Sequence, residues 1–348
     1  MNAAVITRQG NPVAPGIEFR DDYEIASDIP AGSVVVKTLA SALNHMDLWV
    51  GRGVPGLELS YPRVSGCDAC GIVESVGDGV DSAWIGRRVL VNAAVAIDRP
   101  GRPDDGTPST LAPEYELIGE HHNGMHAERF VVPAANLAPV PDDCDPCEAA
   151  AFGLTALTAY SMMVTKGDLR PGQTVLITGI GGGVATIAMK LALHFGCKVI
   201  VTSRSAEKIA EAIRLGAHEG IVDTGEDWSR QVRQNTNKRG VDMAVDSVGK
   251  ATHLACIKSL ARGGAYVTPG CTTGPDAKTD LARIFWNQLR VLGSTMGTND
   301  EFREVAALFA SGKVTPVVDR VFKASDAQAA WERLEASEQM GKIVLDWR

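Results

Sequence analysis

The chain has 348 residues, of which 45% are hydrophobic and 22% are charged, and its formal net charge is −8 at pH 7. This length suits two domains, because single cores rarely grow beyond about 250–300 residues. The acidic balance argues against nucleic acid as a partner, since surplus lysine and arginine bind the phosphate backbone. No secretory signal pattern and no smooth apolar run of membrane-spanning length is visible. We therefore expect a cytoplasmic protein with reduced thiols and no membrane partner.

Short β-like runs separated by Gly, Pro and Asp fill the first 130 residues, a pattern typical of a compact, mostly β domain. They cover residues 34–40, 71–77, 87–93 and 129–133. A Pro-, Gly- and Asp-rich loop is predicted over residues 98–114.

From about residue 150 the pattern changes to alternating strands and helices, which is typical of a parallel, doubly wound sheet. The predicted strands are 174–178, 198–202, 241–249, 263–270 and 289–294, and the clearest helices are 184–195 and 205–215. β-like runs return around one helix at 314–345. The sequence predicts an α/β protein with a mostly β domain over 1–150, completed by 298–348, and a parallel-sheet domain over 151–297.

The strongest motif is the stretch VLITGIGGGVA at residues 175–185. It contains four glycines between a strand and an amphipathic helix that includes Val184, namely Gly179, Gly181, Gly182 and Gly183. Glycine permits the tight turn and lets backbone N–H groups approach a pyrophosphate, which binds at the positive end of the helix. Ala185 stands where a small residue lets helix and strand pack closely. The motif predicts a dinucleotide site.

The choice of cofactor is predicted from the end of the second strand of that domain. NAD sites usually place Asp or Glu about 20 residues after the glycines, to bind the ribose 2′-hydroxyl. Here Ser203 and Arg204 occupy that place and Lys208 follows one turn later. Arg204 is placed to pair with a 2′-phosphate, so we predict NADPH. The alternative is that Arg204 and Lys208 form only a solvated helix start.

Further cofactor contacts are expected where later strands end, because ligands of open α/β sheets bind at the carboxyl ends of the strands. The candidates are Val248, Gly249, Gly270, Cys271, Thr295 and Met296.

Several segments, taken in order, resemble the medium-chain dehydrogenase/reductase superfamily. They are ALNHMDLWVGRG, GCDACGIVESVGDGV, GEHHNGMHAERFVVP, AAAFGLTALTAY, the glycine loop and FWNQLRVLGSTMGT. The spacing of Asn44 and Asp47 resembles the quinone oxidoreductase branch, and NHMDLW with LGSTMGT is similar to zinc-type alcohol dehydrogenases. The resemblance implies a GroES-like catalytic domain split by a Rossmann domain, an active site in the cleft between them, and a homodimer or homotetramer.

The resemblance also allows a test for catalytic zinc. In zinc-dependent relatives the ligands are a Cys, the His and often the Glu of a Gly-His-Glu segment, and a later Cys or Asp. Those positions here hold Asn44, Cys67, Asp68 and Leu154. Leucine cannot bind zinc and asparagine is a poor ligand, so we predict no metal, with a Cys67, Asp68 and His45 site left as an alternative. The relatives' four-cysteine structural zinc lobe falls at about 95–115, which contains no cysteine.

Two Cys-x-x-Cys pairs, Cys67/Cys70 and Cys144/Cys147, remain to be explained. A four-thiolate zinc site and a redox pair are the functional alternatives. The second pair precedes a predicted helix start near residue 147 and is the better redox candidate, because a helix N-terminus stabilises a thiolate. We interpret the spacing as coincidence.

The predicted catalytic residues are Asn44, His45, Asp47, Cys67, Asp68 and Thr158. Asn44 is the first candidate for a hydrogen bond near substrate or nicotinamide, and Thr158 resembles the family threonine that packs on the nicotinamide. His45 is a proton relay or a surface histidine, whereas Asp47 and Asp68 are catalytic or structural. Trp49 replaces a tyrosine common in relatives, and among His121, His122 and His126 we expect only His121 to reach the substrate, from a loop flanking the cleft.

The glycine loop, the residues after the second strand and the missing zinc ligands together predict a zinc-independent, NADPH-dependent reductase of conjugated carbonyls such as quinones or enones. Hydride addition to such a substrate spreads negative charge onto an oxygen, which hydrogen bonds can stabilise without a metal. An alcohol dehydrogenase of the same superfamily and a catalytically silent NADPH-binding protein are the alternatives.

Overall fold

The computed structural model describes residues 1–24, 29–96 and 107–348. Contacts divide the chain into two compact units. Unit 1 comprises Met1–Leu154 and Thr298–Arg348, and unit 2 comprises Thr155–Gly297. The first boundary lies at residue 154 instead of 150. Much of the predicted loop at 98–114 and of the lobe at 95–115 falls outside the described residues.

The helices and strands follow one another along the chain in three stretches. The first contains β1 Ala3–Ile6, β2 Ile17–Arg20, β3 Ser33–Ala42, α1 His45–Arg52, β4 Arg63–Val64, β5 Ala69–Val76, β6 Arg88–Val91, β7 Ala94–Ala96, β8 Tyr115–Leu117, β9 Arg129–Pro133, β10 Leu137–Pro139 and α2 Pro146–Tyr160. The second contains β11 Thr174–Ile177, α3 Gly183–His194, β12 Lys198–Ser203, α4 Ala206–Arg214, β13 Glu219–Val222, α5 Ser229–Asn235, β14 Val241–Val245, α6 His253–Ser259, β15 Leu260–Thr268, α7 Leu281–Asn287 and β16 Arg290–Gly293. The third contains α8 Asn299–Ala310, β17 Val318–Lys323, α9 Ala327–Glu335 and β18 Lys342–Asp346.

Unit 1 is built on a sheet in which the N-terminal and C-terminal parts of the chain meet. Its strand order is β10-β6-β5-β3-β18-β17, and β9 also pairs with β3. The C-terminal strand β18 runs antiparallel to β3, with Val344 opposite Ala42. The tail therefore returns to the mostly β unit, and its strand β18 lies directly beside the end of β3 that leads into α1.

Unit 2 contains a six-stranded parallel sheet in the order β13-β12-β11-β14-β15-β16. This is the order of a doubly wound Rossmann sheet, which confirms the predicted fold class. Val175, Leu176 and Ile177 of β11 are all fully buried. A central parallel strand is covered on both faces, which explains the continuous apolar run in the sequence.

Two differences from the sequence prediction bear on the candidate site and its surroundings. β14 ends at Val245 and not at 249, because the next residue, Asp246, is a buried carboxylate that accepts hydrogen bonds from Thr178, Thr252 and Tyr266. Helix α1 was not predicted, since its eight residues include a glycine and show little periodicity.

One apolar segment has the length of a membrane span but lies mostly inside the protein. Residues Pro146–Lys166 are long and apolar enough to cross a membrane by length and composition, but 78% of the segment is buried inside the protein. That burial fits a core helix.

Candidate functional site

The turn between β3 and α1 positions the first candidate residue, Asn44. Its side chain is partly buried, and its backbone N–H donates to the Asp47 carboxylate at 2.7 Å. Asp47 is fully buried. It therefore fixes the start of α1 and acts through Asn44, which makes it a positioning residue. This contact favours the structural alternative of the two stated for Asp47.

A row of buried polar groups lies behind Asp47. Trp347 Nε1 donates to Ser41 Oγ at 2.9 Å, Ser41 Oγ lies 2.9 Å from His126 Nδ1, and His126 Nε2 lies 3.3 Å from Asp47 Oδ1. Because Ser41 accepts from Trp347, its O–H is available to His126 Nδ1. His126 Nε2 and Asp47 Oδ1 are close but complete no hydrogen bond with each other. Burial raises the pKa of Asp47, but the electrostatic effect of the nearby His126 and the hydrogen bond from the Asn44 N–H outweigh it and hold that pKa below its ordinary value.

His126 is therefore a core residue, and among the three histidines it was not the one expected to reach the substrate. Its ring is completely buried and meets the Trp331 ring edge-on, with centroids 5.1 Å apart. Gly66 makes room for it: φ is +108° there, and a Cβ atom would lie 2.8 Å from the imidazole. His121 and His122 are instead partly exposed and lie beside Glu120 and Glu116, respectively.

The most notable contact in unit 1 is one that the sequence did not reveal. The Lys342 ammonium, on β18, lies 2.9 Å from Asp68 Oδ2 and donates to Asn44 Oδ1 at 2.6 Å. Lys342 is 4% exposed and Asp68 is 1% exposed. The Asn44 amide in turn donates to Asp68 Oδ2 at 3.1 Å, and the Leu154 N–H donates to Asp68 Oδ1 at 2.7 Å. We call Asn44, Cys67, Asp68 and Lys342 the lysine cluster.

Cys67 completes the lysine cluster as a neutral thiol. Its side chain is fully buried, and Asn44 Nδ2 lies 3.4 Å from its sulfur. Burial first, and then the carboxylates of Asp47 and Asp68, raise the pKa of Cys67 well above its ordinary value. Cys67 therefore keeps its proton at neutral pH.

His45 and Trp49 lie on α1 beside the lysine cluster. His45 is partly buried, and its pKa is lowered by burial and then by the positive charges of Arg52 and Lys342. At pH 7 it is a neutral imidazole, so any role as a proton relay starts from the neutral form. Trp49 is 39% exposed and presents an aromatic surface.

The lysine cluster does not fit a zinc ion. Zinc requires three or four closely placed thiolate, imidazole or carboxylate ligands. Here Asn44 is a poor zinc ligand, Asp68 is already paired with an ammonium, and Leu154 has no ligating atom. A divalent ion would also lie beside the buried positive charge of Lys342. Within the described residues, no three His, Cys, Asp or Glu side chains are grouped so that they could hold a metal.

The glycine loop of unit 2 forms a cradle at the start of α3. Gly179 and Gly181 have φ values of +64° and +115°, and Gly182 precedes the first residue of the helix, Gly183. A Cβ atom placed on Gly181 would lie 2.6 Å from Cδ of Lys208. The Lys208 side chain therefore lies across the loop. A Cβ on Gly179 would lie 2.7 Å from Val248. Two predicted cofactor residues, one from α4 and one following β14, therefore border the glycine loop.

The end of β12 lies beside this cradle. Ser203 is the last residue of the strand and is buried, whereas Arg204 is exposed. The Ile180 N–H donates to the Thr202 carbonyl at 2.9 Å, which ties the glycine loop to β12. Ser205 then caps α4 by accepting the Lys208 N–H. Asp223 follows β13 nearby, and its carboxylate accepts the Gly225 N–H at 2.9 Å.

The remaining candidates of unit 2 lie where β14, β15 and β16 end. A Cβ on Gly249 would lie 2.7 Å from Cα of Cys271, so the segments after β14 and β15 touch. Thr158, buried on α2, donates to the Met296 sulfur at 3.7 Å. Met296 has a positive φ of +46°, whereas Thr295 is exposed and Gly270 is partly buried. The structure thus groups Val248, Gly249 and Cys271, and separately Thr158 and Met296.

The two Cys-x-x-Cys motifs lie in different segments of unit 1. Cys70 is in β5 and Cys144 is in the segment before α2, where its carbonyl accepts a hydrogen bond from the Arg88 guanidinium at 2.7 Å, and all four cysteines are free thiols. Cys70 and Cys144, the nearest cysteines of the two motifs, are 74 residues apart in the sequence. This separation is why we interpret the spacing as coincidence. The interpretation of the Cys-x-x-Cys spacing as coincidence stays a prediction.

Known proteins resemble the chain over nearly its whole length. An alcohol dehydrogenase GroES-like domain matches residues 30–142, and a zinc-binding dehydrogenase domain matches residues 183–311. A zinc-type alcohol dehydrogenase-like protein of Schizosaccharomyces pombe is 30% identical, covering 93% of this chain and 94% of its own. A crotonyl-CoA reductase of Streptomyces avermitilis is 26% identical, covering 93% and 80%.

Among solved structures, an NAD-dependent alcohol dehydrogenase is 36% identical with a TM-score of 0.92, and the match covers 100% of both chains. Identity of this extent over whole chains shows the family as well as the fold. The chain belongs to the medium-chain dehydrogenase/reductase superfamily, in its zinc-type alcohol dehydrogenase-like branch, and is an NAD(P)H-dependent oxidoreductase.

Proposed function

We propose that this protein transfers a hydride from NADPH to a conjugated carbonyl compound, such as a quinone or enone, without a catalytic metal. The observation that carries the proposal is the lysine cluster. A buried ammonium, held by Asn44 and Asp68, supplies one fixed positive charge among the residues that stand at the zinc-ligand positions of relatives.

The charge balance of the cluster matches this chemistry. Asp68 neutralises Lys342 in the resting protein, so the site has little net charge before reaction. Preorganised N–H groups stabilise an oxygen that becomes negative, and they do so more strongly in a buried site than in water. Asn44 is only partly buried and its amide is oriented by Lys342. We propose Asn44 as the group nearest the substrate oxygen and Lys342 as the charge that supports it.

A conjugated substrate suits such a site better than a simple aldehyde. When bound, the nicotinamide supplies the hydride. The added negative charge spreads over the conjugated system, so hydrogen bonds and one nearby cation are sufficient to stabilise it. A simple carbonyl needs stronger polarisation, which zinc provides in many enzymes. The similarity to a crotonyl-CoA reductase supports a conjugated acyl group as one substrate class.

The preference for NADPH rests on the end of β12. Arg204 is exposed directly after Ser203, and Lys208 lies across Gly181. Two positive side chains at this place favour a 2′-phosphate. We propose that Gly179, Gly181, Gly182, Gly183 and Val184 hold the pyrophosphate. Thr158, Val248, Gly270, Cys271, Thr295 and Met296 are proposed to contact the nicotinamide half.

A paired substrate screen tests the proposal. The full-length protein is assayed with NADPH against quinones, enones and enoyl thioesters, and in parallel against aldehydes and, with NADP, alcohols. NADPH binding is measured by fluorescence in the same preparation. Turnover confined to the conjugated substrates supports the proposal. Faster turnover of alcohols and aldehydes would instead establish an alcohol dehydrogenase, and tight binding without any turnover would establish a silent NADPH-binding protein.

We also propose that the protein is a cytoplasmic homodimer or homotetramer joined through unit 2. β16 is the last strand of the parallel sheet in the observed order. α7, which precedes β16 in the chain, exposes three large apolar side chains, Leu281, Phe285 and Trp286, each about 70% exposed. Single exposed apolar residues are ordinary, but a group of them on one short helix marks an interaction surface. Light scattering of the purified protein and of Trp286→Glu tests this, and a monomeric wild type would contradict it.

A further inference from the structure

The buried carboxylate of Asp246 lies directly after β14 and takes no part in the hydride transfer proposed above. Asp246 is fully buried. Its carboxylate accepts hydrogen bonds, at 2.6 to 2.9 Å, from the hydroxyl groups of Thr178, Thr252 and Tyr266. It also accepts the backbone N–H groups of Val248 at 3.0 Å and Gly249 at 3.4 Å. Donors from several segments of unit 2 therefore converge on one side chain.

The donors are divided between the two carboxylate oxygens. Tyr266, on β15, donates to Oδ2, whereas both threonines and both backbone N–H groups donate to Oδ1. Burying a carboxylate is unfavourable unless it is hydrogen-bonded, and apolar groups of the same shape can replace a buried hydrogen-bonded pair at little loss of stability. A satisfied polar network instead fixes one arrangement of the groups around it. We therefore ask which segments this carboxylate fixes.

Thr178 connects the carboxylate to the glycine loop. It lies between Ile177, the last residue of β11, and Gly179. Its backbone N–H donates to the carbonyl of Val245, the last residue of β14, at 3.0 Å. Its hydroxyl donates to Asp246 Oδ1 at 2.6 Å. The point at which the glycine loop leaves the sheet is therefore fixed to the point at which β14 ends.

The N–H groups of Val248 and Gly249 connect the same carboxylate to the segments after β14 and β15. A Cβ atom placed on Gly179 would lie 2.7 Å from Cγ2 of Val248, so the valine packs on the first glycine of the loop. The Val248 carbonyl accepts the N–H of Thr273 at 2.9 Å and its hydroxyl at 2.7 Å. A Cβ atom on Gly249 would lie 2.7 Å from Cα of Cys271. Whatever orders Val248 and Gly249 thus also orders the segment after β15.

We propose that Asp246 is a positioning residue for the nicotinamide cofactor, because it fixes the glycine loop and the segment after β14 relative to each other before the cofactor binds. This inference rests on the proposed cofactor site, in which the glycine loop holds the pyrophosphate and Val248 contacts the nicotinamide half. Ligands of open α/β sheets bind at the carboxyl ends of the strands, where both segments lie. A site that is ordered in advance binds more tightly, since binding does not have to order it.

Asp246→Asn keeps the size of the side chain but removes its charge and replaces one acceptor oxygen with an NH2 donor. The Val248 and Gly249 N–H groups are then held more weakly, because hydrogen bonds to an ionised acceptor are stronger than neutral ones. We expect the binding-competent arrangement to fall to about a tenth of the population, which raises the Kd for NADPH about tenfold. Bound cofactor restores the arrangement, so kcat at saturating NADPH should stay within about threefold of the wild type.

Asp242→Asn is a matched control on the same strand. Asp242 is the second residue of β14, and its carboxylate accepts the N–H of Thr174, the first residue of β11, at 2.8 Å. It joins the same two strands as Asp246, but at their amino ends, away from the proposed cofactor site. Both variants should lower the free energy of unfolding in urea, whereas only Asp246→Asn should weaken cofactor binding.

Fluorescence titration of the full-length wild type and both variants with NADPH and with NADH tests the inference. The KM for NADPH and kcat are measured in parallel with a quinone as substrate. We expect a Kd and a KM about tenfold higher in Asp246→Asn and unchanged in Asp242→Asn. Unchanged affinity in Asp246→Asn, or an equal loss in Asp242→Asn, would overturn this inference alone. A wild type that binds neither cofactor would overturn the proposed cofactor site and this inference with it.

A second measurement does not require any variant to fold. Amide hydrogen exchange of the cofactor-free wild type, resolved to single residues, is followed at Val248 and Gly249. N–H groups that a buried acceptor holds exchange slowly, so we expect both to exchange at least about tenfold more slowly than in an unstructured peptide. Exchange of both at the rate of an unstructured peptide would show that the segment is not ordered before the cofactor binds and would overturn the proposal.

Discussion

Replacing Lys342 with methionine tests the lysine cluster through stability. Lys342 and Asp68 are 4% and 1% exposed, and their charged atoms are 2.9 Å apart. Removing one partner of a buried ion pair leaves an unpaired charge and typically costs about 3–5 kcal/mol. Natural domains have only about 5–15 kcal/mol of stability, so we expect a large loss of unfolding free energy in Lys342→Met at pH 7.

A double-mutant cycle isolates the pair from general packing. Asp68→Asn leaves the ammonium unpaired and should cost a similar amount, whereas Lys342→Met with Asp68→Asn leaves no unpaired charge. We expect the double variant to be more stable than the sum of the single losses predicts, by about 1–3 kcal/mol. Urea unfolding monitored by fluorescence provides the free energies, and the exposed Lys313→Met is the control. A cost in Lys342→Met no larger than in Lys313→Met, or strict additivity in the cycle, would refute this reasoning.

Three further predictions concern the cofactor site and the core of unit 1. Arg204→Ala should lower kcat/KM for NADPH about 10- to 100-fold and leave the value for NADH unchanged, since a charge-assisted hydrogen bond contributes about 1.5–3 kcal/mol; the exposed Arg214→Ala is its control in the same assay. Gly181→Ala should weaken NADPH binding in a fluorescence titration, because a Cβ there would lie 2.6 Å from Lys208 at a φ of +115°, and unchanged affinity would contradict the cradle. Asp47→Asn should destabilise the protein by about 1–3 kcal/mol at pH 7. Because the folded-state pKa of Asp47 lies below its ordinary value of 3.8, this difference should persist above that pH and shrink as the pH falls through the folded-state pKa, and guanidinium melts from pH 3 to 7 would check it.

Local patterns predicted the fold well because each pattern has a direct physical cause. β11 is apolar throughout because both faces of a central parallel strand are buried, and the glycines after it have positive φ values at two positions. The strands β3, β5, β6 and β9 were all visible as β-branched runs between turn residues.

The residues whose positions the sequence did not predict make their contacts with residues far away in the chain. Lys342 lies 298 residues after Asn44 and looks in the sequence like a solvated charge at a strand end. The continuous apolar run IVL that follows it was the one signal that it belongs to a buried strand. His126 was one of three similar histidines, and only the packing of Gly66, Ser41 and Asp47 around it distinguishes it. The Arg88 guanidinium donates to the carbonyl of Cys144, a residue 56 positions away in the sequence, which no local pattern could indicate.

The zinc content of active protein tests the central claim most directly. The full-length protein is purified without added metal and dialysed against metal-free buffer. Zinc per chain is then measured by elemental analysis alongside NADPH-dependent reduction of an enone. We predict near zero zinc with undiminished activity, because Lys342 provides the positive charge beside Asn44, Cys67 and Asp68. About one zinc per chain, with activity that a chelator removes and zinc restores, would contradict the account.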